Sequence, residues 1–404
     1  MKKRYALPSY LAGAVLARAG DEMSGPALML AGFALAGSTV EASALLAGTT
    51  ISAAVGGPVL GALLDRAGRP GRLLAGALVL YATGLGAILA GLGRLPFAVT
   101  LLIAVLAGLL GPALSGGWTA QLPHVVLGGR LPRANALDAM TFGVASLAGP
   151  ALAGLVAEVL GAPTAVVVAV VLIALALPAA WTLPARGGRT PGARTASVIG
   201  DLGAGMRIIV GRPALARATL TSVVFCMAQG MLTVCLPLLG ERVLGGAGRG
   251  AVLLSCAAVS ALVATAVLAR FPRSVAPDTI IWASALVQAV ALASAAWGQP
   301  VVLIVAVLLA GIADGPQLAA LFAVRHRESP ERLRGQIFTT GASLKITGFA
   351  LGAAVGGPLA TRSLPGSLAV AASVSALATL AFFAIRPATV VDPPPSRIRS
   401  DVRS

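Results

Sequence analysis

The sequence is poor in charge and in aromatic rings. Of 404 residues, 11% are charged and 4% aromatic, against 57% hydrophobic, and the mean hydropathy is +0.91. A soluble domain carries about 25% charged residues and about 45–50% apolar ones, so this balance excludes a soluble globular protein. It excludes intrinsic disorder as well, because disordered chains are depleted in apolar residues. Histidine and cysteine are scarce: there are two of the first and three of the second. Cys226, Cys235 and Cys256 sit in apolar stretches without the C-x-x-C spacing of a metal or redox pair, and read as packing residues. His124 and His326 fall in connections between apolar runs, which leaves no histidine at membrane depth to act as a base. No G-x-x-x-x-G-K-[ST] phosphate loop occurs. An intramembrane hydrolase and a nucleotide-driven pump therefore lack their chemistry, and no catalytic residue, metal ligand or cofactor site is predicted. Acidic residues are also few, 14 against 30 Lys+Arg, for a net charge of +16. In a soluble chain that excess would suggest nucleic acid; scattered between apolar runs it reads as topology information, with the lipid bilayer as the partner.

What the sequence has is length of apolar run. A helix needs about 20 apolar residues to cross the hydrocarbon core, and twelve stretches qualify. Six run roughly Tyr10 to Leu35, Ala42 to Leu64, Leu73 to Leu92, Phe97 to Gln121, Ala136 to Ala157 and Thr164 to Leu183. The other six run roughly Ala218 to Leu239, Ala251 to Ala269, Thr279 to Trp297, Val301 to Val324, Gly335 to Leu359 and Leu368 to Ile385. The opening Lys2-Lys3-Arg4, with the apolar stretch after it and Ala17-Arg18-Ala19, has the outline of a signal peptide. Because the apolar pattern resumes from Pro26 to Leu35, the run is read as a span. Of the 30 Lys and Arg, only Arg94, Arg242, Arg249 and Arg362 fall in one set of alternate connections, and Arg18 and Lys345 fall within spans; all the others lie in the opposite set or at the ends. The positive-inside rule then puts both termini in the cytoplasm.

The longest connection, Pro184 to Arg217, separates six spans from six. The predicted organisation is a six-helix bundle over 1–184, a cytoplasmic linker over 185–217, a second bundle over 218–386 and a cytoplasmic tail over 387–404. Within the linker, Ile199, Leu202, Met206 and Ile209 recur at helical spacing and suggest a short amphipathic helix, with an ordinary solvated linker as the alternative. Gly111-Pro112 in the fourth span recurs as Gly315-Pro316 in the tenth, and Gly149-Pro150 in the fifth as Gly357-Pro358 in the eleventh, as expected of a duplicated bundle. Proline in such helices frees a carbonyl and permits bending.

Between the second and third spans the chain reads Gly61-Ala-Leu-Leu-Asp65-Arg66-Ala-Gly68-Arg69-Pro70. This resembles the G-x-L-x-D-R-x-G-R-K signature of the major facilitator superfamily, in the loop where that family carries it, with proline in place of the lysine. The resemblance implies an all-α integral membrane protein of twelve helices in two six-helix bundles that works by alternating access. It also implies that Asp65 faces the positive N-terminal end of the eleventh span and latches the inner side shut. Relatives often pair the motif's second arginine, here Arg69, with an acid at the inner end of the fourth span. None occurs there, and Asp138 is the nearest substitute. Gly149-Pro150-Ala-Leu-Ala-Gly154 is similar to the G-P-x-x-G-G motif of antiporter branches and favours export; packing at the interface between halves is the alternative. The arginine that drug/proton antiporters often carry in the fourth span is missing between Val105 and Gly117. Gly20-Asp21 and the stretch Leu202 to Arg207 are similar to bacterial drug and metabolite exporters of this superfamily.

Charge inside a span costs about 2.5–3.5 kcal/mol on insertion scales, so it marks function. Arg18, Asp21 and Glu22 in the first span, Asp314 in the tenth and Lys345 in the eleventh share one depth band, roughly 12 to 18 Å from their inner helix ends. Arg18 is within reach of Asp21 at i+3 or Glu22 at i+4, and Lys345 of Asp314, which leaves one carboxylate of the three to carry protons. A static charge network is the alternative. Gln229, Gln288, Gln317, Trp118 and Trp282 are further cavity candidates. The expectation is a plasma-membrane, proton-coupled exporter of drugs or small organic metabolites, acting as a monomer. The alternatives are an importer or uniporter of a small metabolite and a non-transporting receptor with the same fold.

Overall fold

Proline and glycine punctuate the chain at the ends of its apolar runs, and the helices begin and end accordingly. The computed structural model describes residues 7–36, 39–126, 128–185, 198–245 and 248–385. The basic N-terminus, most of the polar linker and the tail 387–404 lie outside them. In chain order the first half consists of α1 (Leu7–Ala36), α2 (Thr39–Arg66), α3 (Pro70–Gly91), α4 (Phe97–Gly108), α5 (Leu122–Val125), α6 (Leu131–Leu160), α7 (Ala162–Leu175) and α8 (Leu177–Trp181). The second half consists of α9 (Val198–Gly211), α10 (Pro213–Leu244), α11 (Gly248–Arg270), α12 (Pro277–Ala295), α13 (Pro300–Glu328), α14 (Arg334–Arg362) and α15 (Leu364–Ala384). Among the described residues there is no strand.

Proline occupies the first or second position of α3, α6, α10, α12, α13 and α15, where its missing N–H leaves no helical bond unmade. The tight turns at the end of the bundle away from the Asp65 loop use Gly93, Gly161, Gly245 and Gly298, all at positive φ (68° to 91°), a conformation that costs glycine nothing. Among the described residues, eleven helical stretches are long and apolar enough to cross a membrane. The remaining one, α1, spans 30 residues and falls short of that hydropathy only because it carries Arg18, Asp21 and Glu22; with it the crossings number twelve. Val79, Leu80, Leu102, Leu106, Val171, Val263, Leu377 and Leu380 are exposed, a belt that only hydrocarbon would cover.

Each half has its own apolar core. One cluster draws solely on residues from Tyr10 to Leu183, and three others solely on residues from Ile209 to Phe382. A fifth cluster joins the halves: Ala120, Ala136 and Ala139 against Ala269, Ala319, Phe322 and Phe338. The Gly-Pro repeat is only partly symmetric in structure. Pro112 ends a break in the fourth crossing, which resumes as a π turn, Ala113–Gly117, whereas Pro316 lies inside the continuous α13. The fourth crossing is thus not one uninterrupted helix to Gln121. The tenth does not stop at Val324 but runs on to Glu328, because Arg325 and His326 are buried against the rest of the protein.

A closed end and a charged cavity between two halves

The two halves meet along α2 and α14. Glycine on α2 makes that approach possible: a Cβ at Gly57 would strike the Thr339 carbonyl, and one at Gly61 would strike the Gln336 backbone. Polar groups stitch the seam. Thr339 Oγ1 donates to the Gly57 carbonyl at 2.6 Å, Ser343 Oγ to the Ala53 carbonyl at 2.7 Å, and the Gly57 amide to Ser343 Oγ at 3.1 Å. At the end of α2 stands Asp65, 2% exposed. Its two carboxylate oxygens accept from the Gly335 and Gln336 amides, each at 2.8 Å. Those amides belong to the first turn of α14, where helical N–H groups lack partners and the helix dipole is positive. Gln336 in turn accepts from the Gly205 amide of α9 at 3.2 Å, so the interhalf helix docks on the same joint. The linker's apolar spacing is therefore satisfied in part by protein: Ile209 is buried, while Met206 and Val210 remain exposed.

Of the other residues in that loop, Gly68 and Arg69 are exposed, and Arg66 is half-buried. Asp138 is not the partner of Arg69. It is fully buried in the second turn of α6 and engaged by Arg18, with Nη1 2.9 Å from Oδ1. Arg18 does not turn to Asp21 or Glu22 along its own helix. Its guanidinium crosses to α6, donating also to the Asp138 carbonyl (3.0 Å), to Thr119 Oγ1 (2.8 Å) and to Thr141 Oγ1, and it lies 3.7 Å from the centre of the Phe142 ring. Thr119 and Tyr10 hydroxyls complete the carboxylate's shell at 2.8 and 3.1 Å. A planar donor with several N–H groups finds more acceptors across the helix interface than a neighbouring carboxylate on its own helix can supply.

Above this pair opens a cavity of about 410 Å³ between the halves. Arg18, Asp21, Glu22, Tyr81, Phe142 and Ser115 line it from one half, and Phe322, Arg325, Lys345 and Ile346 from the other. Asp21 accepts from the Tyr81 hydroxyl at 2.7 Å, and Ser24 Oγ lies 3.0 Å from the same hydroxyl. Glu22 turns the other way, to Ser146 of α6, and is exposed. Gly149 has its place here: a Cβ on it would press on the backbone of Glu22 and Met23, so the glycine lets α6 approach α1 within one half, not at the interface between halves. Pro150 and Gly154 are exposed, and a Cβ on Gly154 would meet nothing.

Asp314 is not among the cavity-lining residues. It is half-buried on α13, near enough to Lys345 for electrostatic interaction but making no ion pair with it. Lys345 lies beside the Cys226 thiol. The other polar candidates pack rather than line: Gln317 donates to Ser222 at 2.6 Å, Gln288 to Gln229 at 3.2 Å, Trp118 is fully buried beside Tyr10, and Trp282 stacks near Phe383. Sequence reasoning missed Arg325, which was placed in a connection with His326. It is 1% exposed and faces the cavity, while His326 is buried against Phe338 with ring centres 4.4 Å apart. The apolar pattern gave no signal for it, since after Val324 the helix reads Arg-His-Arg-Glu with no apolar residue to extend the run.

Residues 10–344 match the model of the Major Facilitator Superfamily. The chain belongs to that superfamily. Across 94% of its length, and 94% of the relative's, it is 28% identical to an uncharacterized MFS-type transporter, y4rN, of Sinorhizobium fredii. Similar folds are found in the human organic anion transporter MFSD10 (18% identity, TM-score 0.76, 96% and 100% of the two chains) and in a bacterial homologue of the iron transporter ferroportin in its outward-facing state (16%, 0.77, 94% and 98%). The Escherichia coli fucose:proton symporter FucP is similar as well (15%, 0.72, 95% and 100%). As a facilitator-superfamily protein the chain is a multi-pass membrane transporter built on two six-helix bundles. Its superfamily loop places Asp65 on the eleventh crossing.

Proposed function

We propose that this transporter is a proton-coupled exporter of small organic solutes, working at the plasma membrane by alternating access. The observation that carries the reading is the cavity between the halves, which holds Asp21 and Glu22 on one wall with no cation among the described residues paired to either. A carboxylate at bilayer depth without a fixed counter-ion binds a proton in place of one, and releases it when the cavity opens to the other side. Arg18 is not the counter-ion of either acid, since its terminal nitrogens are held by Asp138, Thr119 and Thr141. Asp138 and Arg325 add one acid and one cation to the charges expected along the crossings, so the excess of acid remains.

Charge asymmetry supports a cytoplasmic location for the Asp65 end and for both termini. On that orientation the seam of α2 with α14 closes the inner side, and Asp65 with Gly61, Arg66, Gly68 and Arg69 forms the inner gate. Opening requires α14 to leave Asp65 and to break the Thr339 and Ser343 hydrogen bonds along the same seam. Export is supported by the similarity of Gly149-Pro150 and Gly154 to the antiporter motif. A reading as a solute importer is favoured by the fucose and xylose proton symporters among the similar folds.

The test is flux in proteoliposomes under an imposed pH gradient, with a dye and antibiotic panel. Glu22→Gln and Asp21→Asn each abolish gradient-driven flux, whereas Asp314→Asn, outside the cavity lining, retains most of it. Flux insensitive to the gradient in the unmodified protein would sink proton coupling, and solute moving in the same direction as the protons would make the protein a symporter and reverse the assigned direction.

A further inference from the structure

Arg325 presents an unusual electrostatic situation. It is 1% exposed, lines the cavity, and its Nε and Nη2 have no hydrogen-bond partner. No carboxylate stands within ion-pair distance of it among the described residues. The Phe338 ring lies 5.8 Å from the guanidinium carbon, and the Cys226 thiol is within electrostatic reach. Gly341 makes room for it, since a Cβ there would overlap the guanidinium. Lys345, one helical turn further along α14, lines the same wall beside the Cys226 thiol and within electrostatic reach of Asp314, and among the described residues it forms no ion pair. A guanidinium removed from water with two nitrogens unsatisfied costs several kcal/mol unless something supplies acceptors and negative charge. The opposite wall carries the reverse sign, Asp21 and Glu22, while Arg18 between them is neutralised by Asp138.

We propose that Arg325 and Lys345 form the subsite for an anionic group of the transported solute, a carboxylate, sulfonate or phosphate on an organic body small enough for the cavity. The planar guanidinium suits two-point contact with such a group, and the ammonium adds a point charge beside it. Phe322 and Ile346 offer the apolar surface for the body. The solute's anion and the coupling protons then occupy opposite walls, so the two cargoes do not compete for the same residues. This inference rests on the transporter reading above and deepens it.

The experiment is equilibrium binding to the detergent-purified full chain, without any gradient, using 2-naphthoate and 2-naphthalenesulfonate against the neutral isostere 2-naphthamide. The acids are expected to bind at least about tenfold more tightly than the amide, and Arg325→Gln and Lys345→Gln each to remove that preference. Arg325→Lys, which keeps the charge and loses the fork, restores part of it, and Gly341→Ala weakens it by displacing the guanidinium. Equal binding of acids and amide, or a preference unchanged by Arg325→Gln in a protein of unaltered thermal stability, would overturn the assignment. If Arg325→Gln does not fold, Lys345→Gln and Gly341→Ala carry the same test. Because no proton gradient is present, failure here is separable from failure of proton coupling, which shows only in flux.

Discussion

Replacing Asp65 is expected to release the closed end of the transporter. The carboxylate accepts two amides of α14 at 2.8 Å each and is 2% exposed. A hydrogen bond to a charged group contributes about 1.5–3 kcal/mol, and loss of a helix N-cap costs about 1 kcal/mol. Water partly replaces both once the end opens, so Asp65→Ala should disfavour the closed-end state by about 2–3 kcal/mol, a factor of about 30 to 150 at 1.4 kcal/mol per tenfold. A state populated at about nine-tenths would then fall to about a quarter or less. Asp65→Asn keeps an acceptor oxygen and loses the charge, so its effect should be smaller and in the same direction. The assay is labelling of Thr50→Cys, a cavity position on α2, by a membrane-impermeant maleimide applied from the outer side. Cys226, Cys235 and Cys256 are first replaced by alanine. The labelling rate should drop from the Asp65 parent to Asn to Ala. An unchanged rate in Asp65→Ala, in protein that still elutes as a folded species, would refute the idea that this contact sets the conformational balance.

Three further outcomes are expected. Gly61→Ala brings a Cβ onto the Gln336 backbone, so it should lower Thr50→Cys labelling in the same way, and normal labelling would show that α2 and α14 need not approach so closely. Asp138→Asn leaves Arg18 buried without its counter-charge and should destabilise the protein by about 3–5 kcal/mol, while Arg18→Met with Asp138→Leu recovers much of that; thermal unfolding in detergent measures both. Gln336→Ala removes the acceptor for the Gly205 amide and should speed tryptic cleavage at Arg207, with unchanged cleavage meaning that α9 is held by other contacts.

Several features were legible because they depend on neighbours along the chain. The apolar runs, the prolines at helix starts and the glycines at tight turns are local, and the Asp65 loop is a contiguous motif whose target, the start of the eleventh crossing, is what the family resemblance implies. Pairings were not legible. Arg18 with Asp21 and Glu22 satisfied the helical spacing, yet α6 offered Arg18 a carboxylate, a carbonyl and two hydroxyls together, and no spacing rule along α1 contains that information. Asp138 was assigned to Arg69 by topology alone, although it is fully buried and engaged by Arg18 while Arg69 is exposed. The proposed organisation into segments 1–184 and 218–386 rests on the same local pattern.

Composition and hydrophobic length alone determined that the chain lives in lipid, crosses it repeatedly and keeps a few charges at depth, because the cost of exposing backbone or charge to hydrocarbon acts residue by residue. Only the tertiary structure decided which charges neutralise one another and which are left facing the cavity. Arg18 is silenced by Asp138, while Arg325, numbered among the loop charges by sequence, stands buried and unpaired on the opposite wall. The reason is that ion pairing inside a membrane is settled by distances of about 3 Å between helices, and those depend on how whole helices pack.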